Sequence, residues 1–318
     1  MVVLQFPREC EVIQPVPPPS PSATPLFLLH DGGGTTFAYH CLSPLGRAVY
    51  GIANPRFQSG TAWDGGVPEM ARAYLRMILH TVRSGEYPPL APMTSDGAKR
   101  RKKILLGGWS LGGLLALEIA RLVRTGRNDD GPAENDDGGD GVEIVGLVLV
   151  DSVYPVWPAG SEVKIGTWVE TEEPQGKNLK LARKAMKIAG AMVKVWRMPR
   201  CGAATSIAQA TSADNEGVEK SFYGSREDKE TAEVVWERPP RAVLVRARDC
   251  VPMPGVDGIN PVDVYRGDEK LGWDGYCPGY VGKSLVTPGS HFDMFAWGHI
   301  EEITAQIALA CRILEGKA

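Results

Sequence analysis

The chain has 318 residues and a formal net charge of -3, which fits one α/β enzyme domain with an insertion better than two large domains. The near-balanced charge argues against partners that are bound by neutralising phosphates, namely nucleic acids and anionic membranes. No stretch has the roughly 18 apolar residues of a membrane-spanning helix, and the first residues lack a secretory signal pattern.

The N-terminal part of the chain holds a proline- and serine-rich tract at 15–22, ahead of the first predicted strand. Because such a tract prefers an extended, solvated backbone, we interpret residues 1–24 as a lead-in, with a linker cut from a larger protein as the alternative, and 25–318 as one catalytic domain. The continuous apolar run at 25–29 predicts a buried parallel strand, which leads into a glycine-rich loop at 30–36. Three further elements are predicted next: a helix at 37–45, a strand at 48–52 and an amphipathic helix from 67 to about 83.

Ser110 lies between a predicted strand at 103–106 and a predicted helix at 111–124, in the sequence GGWSLGG. The glycines two residues before and after it let strand and helix approach without Cβ clashes. A serine in such a turn presents its hydroxyl above the sheet edge at a helix N-terminus. The motif therefore predicts Ser110 as a catalytic nucleophile, with an ordinary glycine-rich turn as the alternative.

The rest of the chain continues the alternation, with strands at 142–150 and 241–246 and a helix from about 300 to 314. This pattern predicts an α/β fold with a mainly parallel central sheet and helices on both faces. Ligands of such sheets bind at the carboxyl ends of the strands. Four candidate side chains follow predicted strands and are expected there: His30, Ser110, Asp151 and Asp249.

Two segments depart from the alternating pattern. Residues 128–140 are acidic and glycine-rich with little to bury, which predicts a mobile surface loop. Residues 155–240 form a larger insertion with a basic, apolar-striped segment at 179–196. In that position the segment would lie over the strand ends as a lid, and a helix packed on the flank of the domain is the alternative.

A serine hydroxyl attacks slowly unless a neighbouring base accepts its proton. His291 is the predicted base among the five histidines, because it lies in a turn-rich loop before the last helix. Its position gives the chain order Ser, Asp, His that accompanies a nucleophile on this kind of turn. His30 is an alternative base, although its place beside three glycines favours a role in shaping the first loop.

The acid that orients the histidine has two candidates, because Asp151 and Asp249 each follow an apolar predicted strand. A carboxylate there holds the imidazole in the tautomer that accepts the serine proton, and it stabilises the imidazolium that forms. Asp151 is favoured, since its strand comes next in sequence after that of Ser110. Asp249 has arginines close by, which favour an ion pair, and it stays the alternative.

The negative charge that develops on a substrate oxygen needs hydrogen-bond donors that are already in place. The predicted donors of this oxyanion hole are the amide of Leu111, directly after the nucleophile, and an amide of the first loop, from Gly32 or Gly33. No lysine follows at the spacing of a phosphate-binding loop, and Asp31 would repel a phosphate. Nucleotide binding is therefore not predicted.

The cysteines are scattered without a CxxC pair or histidine-interleaved spacing: Cys10, Cys41, Cys201, Cys250, Cys277 and Cys311. This distribution predicts neither a zinc site nor a disulfide framework. We expect a reduced cytoplasmic setting and no bound metal or cofactor.

Four segments resemble the thioesterase domains that release products from polyketide and nonribosomal peptide synthases, especially those of fungal polyketide synthases. They are LLHDGGG at 28–34 followed by Phe37 and Tyr39, GGWSLGG at 107–113, LVLVDS at 147–152, and GSHF at 289–292. The resemblance extends from about residue 25 to the C-terminus. The sequence departs from the family where Asp31 replaces a usual proline, and where the acidic loop lengthens the spacing between Ser110 and Asp151.

The resemblance implies an α/β-hydrolase fold with a lid insertion, and it supports Asp151 as the acid. It implies that Ser110 attacks an acyl thioester delivered on the phosphopantetheine arm of an acyl carrier protein or polyketide synthase. The acyl chain would then be released by hydrolysis or cyclisation. We expect an excised terminal domain or a free-standing enzyme acting in trans. The alternatives are a carboxylesterase or lipase acting on oxygen esters, and a non-catalytic binding protein of the hydrolase fold.

Overall fold

The structure is a computed structural model that describes residues 9–16, 23–84, 87, 101–126, 141–158, 163–166, 176–201, 235–236 and 238–318. Its strands are β1 (Glu11–Gln14), β2 (Leu26–Leu29), β3 (Val49–Ile52), β4 (Lys102–Trp109), β5 (Val142–Val150), β6 (Arg200–Cys201), β7 (Val235–Trp236), β8 (Ala242–Ala247) and β9 (Val281–Thr287). Its α-helices are α1 (Phe37–His40), α2 (Gly66–Arg83), α3 (Leu111–Thr125), α4 (Lys177–Val195) and α5 (Ile300–Leu314).

Within the described residues, a seven-stranded sheet has the order β1-β3-β2-β4-β5-β8-β9. All of its neighbouring pairs are parallel except β1 with β3. In β2, Leu26 and Leu28 join a core with α1 and α5, while Phe27 and Leu29 join a second core with α2 and α3. Side chains alternate between the two faces of a strand, so a strand covered on both sides is apolar throughout. The α/β fold with helices on both faces is thus confirmed.

The parallel arrangement places the candidate residues along one edge of the sheet. The glycine-rich loop follows β2, Ser110 follows β4, and Asp151 follows β5. His291 comes four residues after the end of β9. Because β2, β4, β5, β8 and β9 are consecutive in the sheet and parallel, their carboxyl ends lie side by side.

One helix and one edge strand differ from the expectation at the level of local structure. The predicted helix at 37–45 ends at His40, because Pro44 can neither donate a helical hydrogen bond nor fit against the preceding turn. The strand β9 was not predicted. Its buried residues are interrupted by exposed Gly282 and Lys283, because the strand lies at the edge of the sheet. It therefore lacks the continuous apolar run that predicts a central strand.

The segment interpreted as a lead-in contributes β1 to the sheet. This strand pairs antiparallel with β3, and the side chain of Gln14 fixes its end to the chain beyond α1. Gln14 accepts a hydrogen bond from the amide of Leu45 at 2.8 Å and donates one to the carbonyl oxygen of Ser43 at 3.0 Å. The proline tract that follows concealed this short strand in the sequence.

The insertion is described only in part, and the acidic segment at 128–140 lies outside the described residues. The helix α4 matches the apolar-striped segment at 179–196. After α4, Cys201 forms a disulfide with Cys277. The scattered cysteines predicted no disulfide framework, and for this pair the prediction was wrong. The two cysteines are 76 positions apart and belong to no recognisable motif.

Candidate active site

Ser110 lies in the tight turn between β4 and α3. Its backbone has φ 55° and ψ -113°, a conformation that a residue with a side chain holds only when its surroundings enforce it. A Cβ at Gly108 would lie 2.5 Å from the carbonyl oxygen of Leu29, and one at Gly112 would clash with the same oxygen. The two glycines therefore make this close approach of strand and helix possible.

His291 connects the serine to a buried carboxylate. Its Nε2 atom lies 3.1 Å from Ser110 Oγ, and its Nδ1 atom lies 2.7 Å from Asp151 Oδ2. A carboxylate can only accept a hydrogen bond, so Nδ1 carries the hydrogen of the neutral ring. The lone pair of Nε2 then faces the serine hydroxyl, which is the arrangement that a general base requires.

Asp151 is fully buried, with a positive φ of 43° directly after β5. Its Oδ1 atom accepts the amide hydrogen of Ala247 at 2.8 Å. Burial by itself would raise the pKa of the carboxyl group, but hydrogen bonds from Arg266 and His291 outweigh burial and hold the pKa well below its usual range. Asp151 is therefore ionised at neutral pH.

Asp249, the alternative acid, does not meet the histidine. Its side chain is half exposed and forms an ion pair with Arg248, with 3.1 Å between Nε and Oδ1. It also accepts the amide hydrogen of Gly289 at 3.2 Å. The structure thus brings Asp151, and not Asp249, to His291.

The glycine-rich loop lies beside the nucleophile, and its geometry separates the two candidate donors. Gly33 already donates its amide hydrogen to Asp31 Oδ1 at 3.0 Å. Gly32 lines the same cavity as Ser110 and Leu111. Leu111 is the first residue of α3, where a backbone N–H has no acceptor within the helix.

His30, the alternative base, has both ring nitrogens engaged elsewhere. Its Nε2 atom lies 2.6 Å from the hydroxyl of Tyr74, and its Nδ1 atom lies 2.5 Å from the carbonyl oxygen of Asp31. Burial lowers the pKa of His30 to about 4. The ring is therefore neutral at neutral pH, and its hydrogen bond to the backbone of Asp31 links it to the glycine-rich loop.

Two residues contribute to the geometry of the site although no sequence motif predicted this role for them. Tyr39, noted only as part of the resemblance, hydrogen bonds to the backbone of both Leu29 and Trp109. Arg266 makes two parallel hydrogen bonds to Asp151, with Nη1–Oδ1 at 2.7 Å and Nη2–Oδ2 at 2.8 Å. The one available signal for Arg266 was that a buried carboxylate at a strand end needs a cationic partner.

A cavity of about 290 Å³ opens in front of Ser110 and His291. Its other walls are mostly apolar and come from three segments: Val153, Tyr154, Pro155, Val156 and Trp157 after β5; Met186, Ala189, Gly190 and Val193 on α4; and Pro261, Val262 and Val264 after β8. The insertion helix α4 therefore forms one wall of the cavity beside the nucleophile.

Among the described residues, no group of histidine, cysteine, aspartate and glutamate side chains is arranged to hold a metal ion. In the same part of the chain, no helix combines the length and the apolar character needed to cross a membrane.

Comparison with known proteins gives relatives over nearly the whole chain, although no protein-family model matches it. The chain is 31% identical to the probable thioesterase lcsE of Purpureocillium lilacinum, over 93% of this chain and 90% of that protein. It is 30% identical to a part of the nonribosomal peptide synthetase imqB of Aspergillus flavus, over 91% of this chain and 8% of that protein. The fold is similar to that of the Vlm2 thioesterase domain with a bound dodecadepsipeptide, with a TM-score of 0.52, 14% identity, and coverage of 96% of this chain and 99% of that one.

Proposed function

Because the chain belongs to the family of fungal thioesterases that includes lcsE, we propose that it is a serine-dependent acyl thioesterase with Ser110 as its nucleophile. One observation carries this proposal: hydrogen bonds of 3.1 and 2.7 Å link Ser110, His291 and Asp151 in series at an apolar cavity. Membership of the thioesterase family supports a thioester as the bond that is cleaved, and the geometry of the three residues supports the serine mechanism.

In the proposed acylation step, the Ser110 oxygen attacks the thioester carbonyl carbon while Nε2 of His291 accepts the hydroxyl proton. When the carbon–sulfur bond breaks, the imidazolium returns this proton to sulfur, so a thiol leaves and the acyl group stays on Ser110 as an ester. Asp151 remains a carboxylate and stabilises the imidazolium.

The second step removes the acyl group from Ser110. His291 takes a proton from water or from a hydroxyl of the acyl chain, and the resulting oxygen nucleophile displaces the serine. Water gives a free acid and an internal hydroxyl gives a lactone, while the proton on His291 returns to Ser110. We assign the amides of Leu111 and Gly32 to the oxyanion in both steps, because Gly33 already donates to Asp31.

We further propose that the acyl chain arrives on the phosphopantetheine arm of a carrier protein. The similarity to a part of a nonribosomal peptide synthetase supports this source, since such synthetases carry their intermediates as thioesters. The helix α4 would act as a lid, because Met186, Ala189, Gly190 and Val193 cover the cavity from the insertion.

The test has two parts. First, a fluorophosphonate probe is reacted with the folded protein and the modified residue is located by mass spectrometry. We expect labelling of Ser110 in the wild type and in Ser59→Ala, a control at an exposed loop serine, and no labelling of Ser110→Ala. Second, turnover of acyl thioesters of N-acetylcysteamine is compared with that of matched oxygen esters, and we expect the thioesters to be preferred.

The outcomes separate this proposal from its alternatives. A strong preference for the oxygen esters would make the protein a carboxylesterase or lipase. Absence of labelling in a correctly folded wild type would point to a hydrolase-fold binding protein without catalytic activity. Mass spectrometry of the acyl-enzyme formed from each thioester would then identify the acyl chains that are accepted.

A further inference from the structure

We propose that Arg266 and Asp263 form a buried charge-compensating pair behind Asp151 that tunes the proton affinity of His291. The pair acts through Asp151, so its members are positioning residues. This inference rests on the proposed serine mechanism, in which His291 must be neutral to accept the serine proton.

The contacts of Arg266 use every donor of its guanidinium. Besides the two hydrogen bonds to the Asp151 carboxylate, Nη1 donates to the carbonyl oxygen of Ala247 at 3.0 Å, and Nη2 donates to that of Val262 at 3.4 Å. Nε donates to Asp263 Oδ1 at 2.9 Å. A planar group that is held at all five N–H positions has one orientation, so the charge of Arg266 is fixed against Asp151.

Asp263 is held just as firmly. Its second oxygen, Oδ2, accepts the amide hydrogen of Val251 at 2.7 Å, and its carbonyl oxygen accepts the amide hydrogen of Arg266 at 2.8 Å. Its side chain is 1% exposed and that of Arg266 is 6% exposed. Two carboxylates and one guanidinium thus share a buried volume with His291.

The net charge of this cluster changes with the protonation of His291. With a neutral imidazole, Asp151, Asp263 and Arg266 together carry a charge of about minus one, and with an imidazolium the cluster is neutral. Without Arg266 the same cluster would carry about minus two, and an imidazole beside it would bind a proton more readily. Arg266 therefore keeps His291 available as a base at lower pH.

Other titratable and charged groups face the cluster from the elements around it. Asp31, on the loop after β2, interacts with His291 from the cavity side. Cys250 is near Asp263 and Arg266, and Arg246 donates a hydrogen bond to the carbonyl oxygen of Arg266 at 2.5 Å. None of these groups is substituted in the variants below.

The test measures the pH dependence of fluorophosphonate labelling at Ser110, whose acidic limb reports the protonation of the base. Arg266→Gln should move the midpoint of this limb upward by about one pH unit, since a nearby positive charge is lost. Asp263→Asn should move it downward, since a negative charge is lost. The double variant should return it towards the wild-type value, and Arg266→Lys, which keeps the charge, should change the rate more than the midpoint.

A merely structural role would lower the labelling rate in these variants without moving the midpoint, and that result would overturn the inference. If Arg266→Gln does not fold, Asp263→Asn, which retains Arg266 on Asp151, decides by itself. An NMR titration of ¹³C-labelled histidine in the Ser110→Ala background follows the protonation of His291 and requires no activity. Failure of the wild type to react with the fluorophosphonate would therefore contradict the proposed function. If the NMR titration midpoint of His291 is unchanged in the variants, only this inference is contradicted.

Discussion

The hydroxyl of Tyr39 accepts the backbone amide hydrogen of Trp109 at 2.9 Å and donates its own hydrogen to the carbonyl oxygen of Leu29 at 2.6 Å. One buried hydroxyl thus joins the residue before Ser110 to the end of β2, where the glycine-rich loop begins. The proposed oxyanion donors follow the two joined segments along the chain, Gly32 three residues after Leu29 and Leu111 two residues after Trp109. Tyr39 therefore adds a side-chain tie to the sheet pairing between the two segments that carry these donors.

Tyr39→Phe should lower both stability and activity. It leaves a buried N–H and a buried carbonyl oxygen without their partner, which costs about 1–3 kcal/mol in the free energy of unfolding. The labelling rate of Ser110 should fall as well, because the two halves of the oxyanion hole lose their common tie. Urea unfolding and labelling kinetics measure these effects. The control is Tyr265→Phe, which removes a single hydrogen bond to the carbonyl oxygen of Val156 that is more exposed than those of Tyr39. This control should change neither the free energy of unfolding nor the labelling rate by a comparable amount.

Gly112→Ala should destabilise the turn that holds Ser110. The added Cβ would meet the carbonyl oxygen of Leu29, and this backbone atom belongs to the central sheet and cannot move away. On α4, a Cβ added at Gly190 meets nothing within 4 Å, so Gly190→Ala should be neutral or stabilise the protein by about 0.5–1 kcal/mol. Equal stability of the two variants would contradict the steric role of Gly112.

Asp151→Asn should reduce the acylation rate by about ten-thousand-fold, since an amide in this place favours the wrong tautomer of His291. Asp249→Asn should leave the rate close to that of the wild type, because Asp249 pairs with Arg248 at the surface. Single-turnover acylation by a thioester measures both rates. A large loss in the Asp249 variant alone would reassign the acid.

Stability should fall on acidification in a way that depends on His30. Burial lowers the pKa of His30 to about 4, while a histidine in the unfolded chain has a pKa of about 6.5. Between these values the unfolded state binds a proton that the folded state excludes, so the free energy of unfolding decreases as the pH falls, by about 3 kcal/mol in full. This contribution should be absent in His30→Asn. Urea unfolding measures the free energy of unfolding of both proteins across this pH range. If the two free energies fall in parallel as the pH falls, the lowered pKa assigned to His30 is wrong.

Val193→Trp should narrow the cavity and shift the acyl preference. Val193 lines the cavity from α4, so a larger ring there would exclude long acyl chains and reduce their kcat/KM by on the order of tenfold or more. Short acyl thioesters and the small labelling probe should be affected little. Val195→Trp is the matched control, because Val195 is 76% exposed. An equal effect of both changes on long chains would contradict the position assigned to the substrate.

The elements that were predicted well are those with a strong local signal. Ser110 lies in a short motif that needs its glycines for steric reasons, and β2, β4 and β5 are apolar because helices cover both of their faces. Ser110, Asp151 and His291 each follow a strand in the parallel part of the sheet, in this order along the chain. For these features, local sequence and three-dimensional structure carry the same information.

The features that were missed depend on contacts between distant parts of the chain. Arg266 meets Asp151 across 115 positions, and nothing in the residues around Arg266 marks it. The choice between Gly32 and Gly33 depended on where the Asp31 carboxylate points. The strand β9 was hidden because an edge strand keeps polar residues on its exposed side. Each of these required the folded arrangement itself.

The antiparallel strand β1 occupies the outer border of the sheet beside β3. Glu11 on this strand accepts a hydrogen bond from Thr36 at 2.7 Å, so the strand also braces the start of α1. A shortened chain beginning at residue 25 would leave the backbone of β3 open to pairing with another molecule. Such a protein would tend to self-associate and precipitate even though its nucleophile was intact, and a recombinant form intended for crystals or assays should retain residues 9–16.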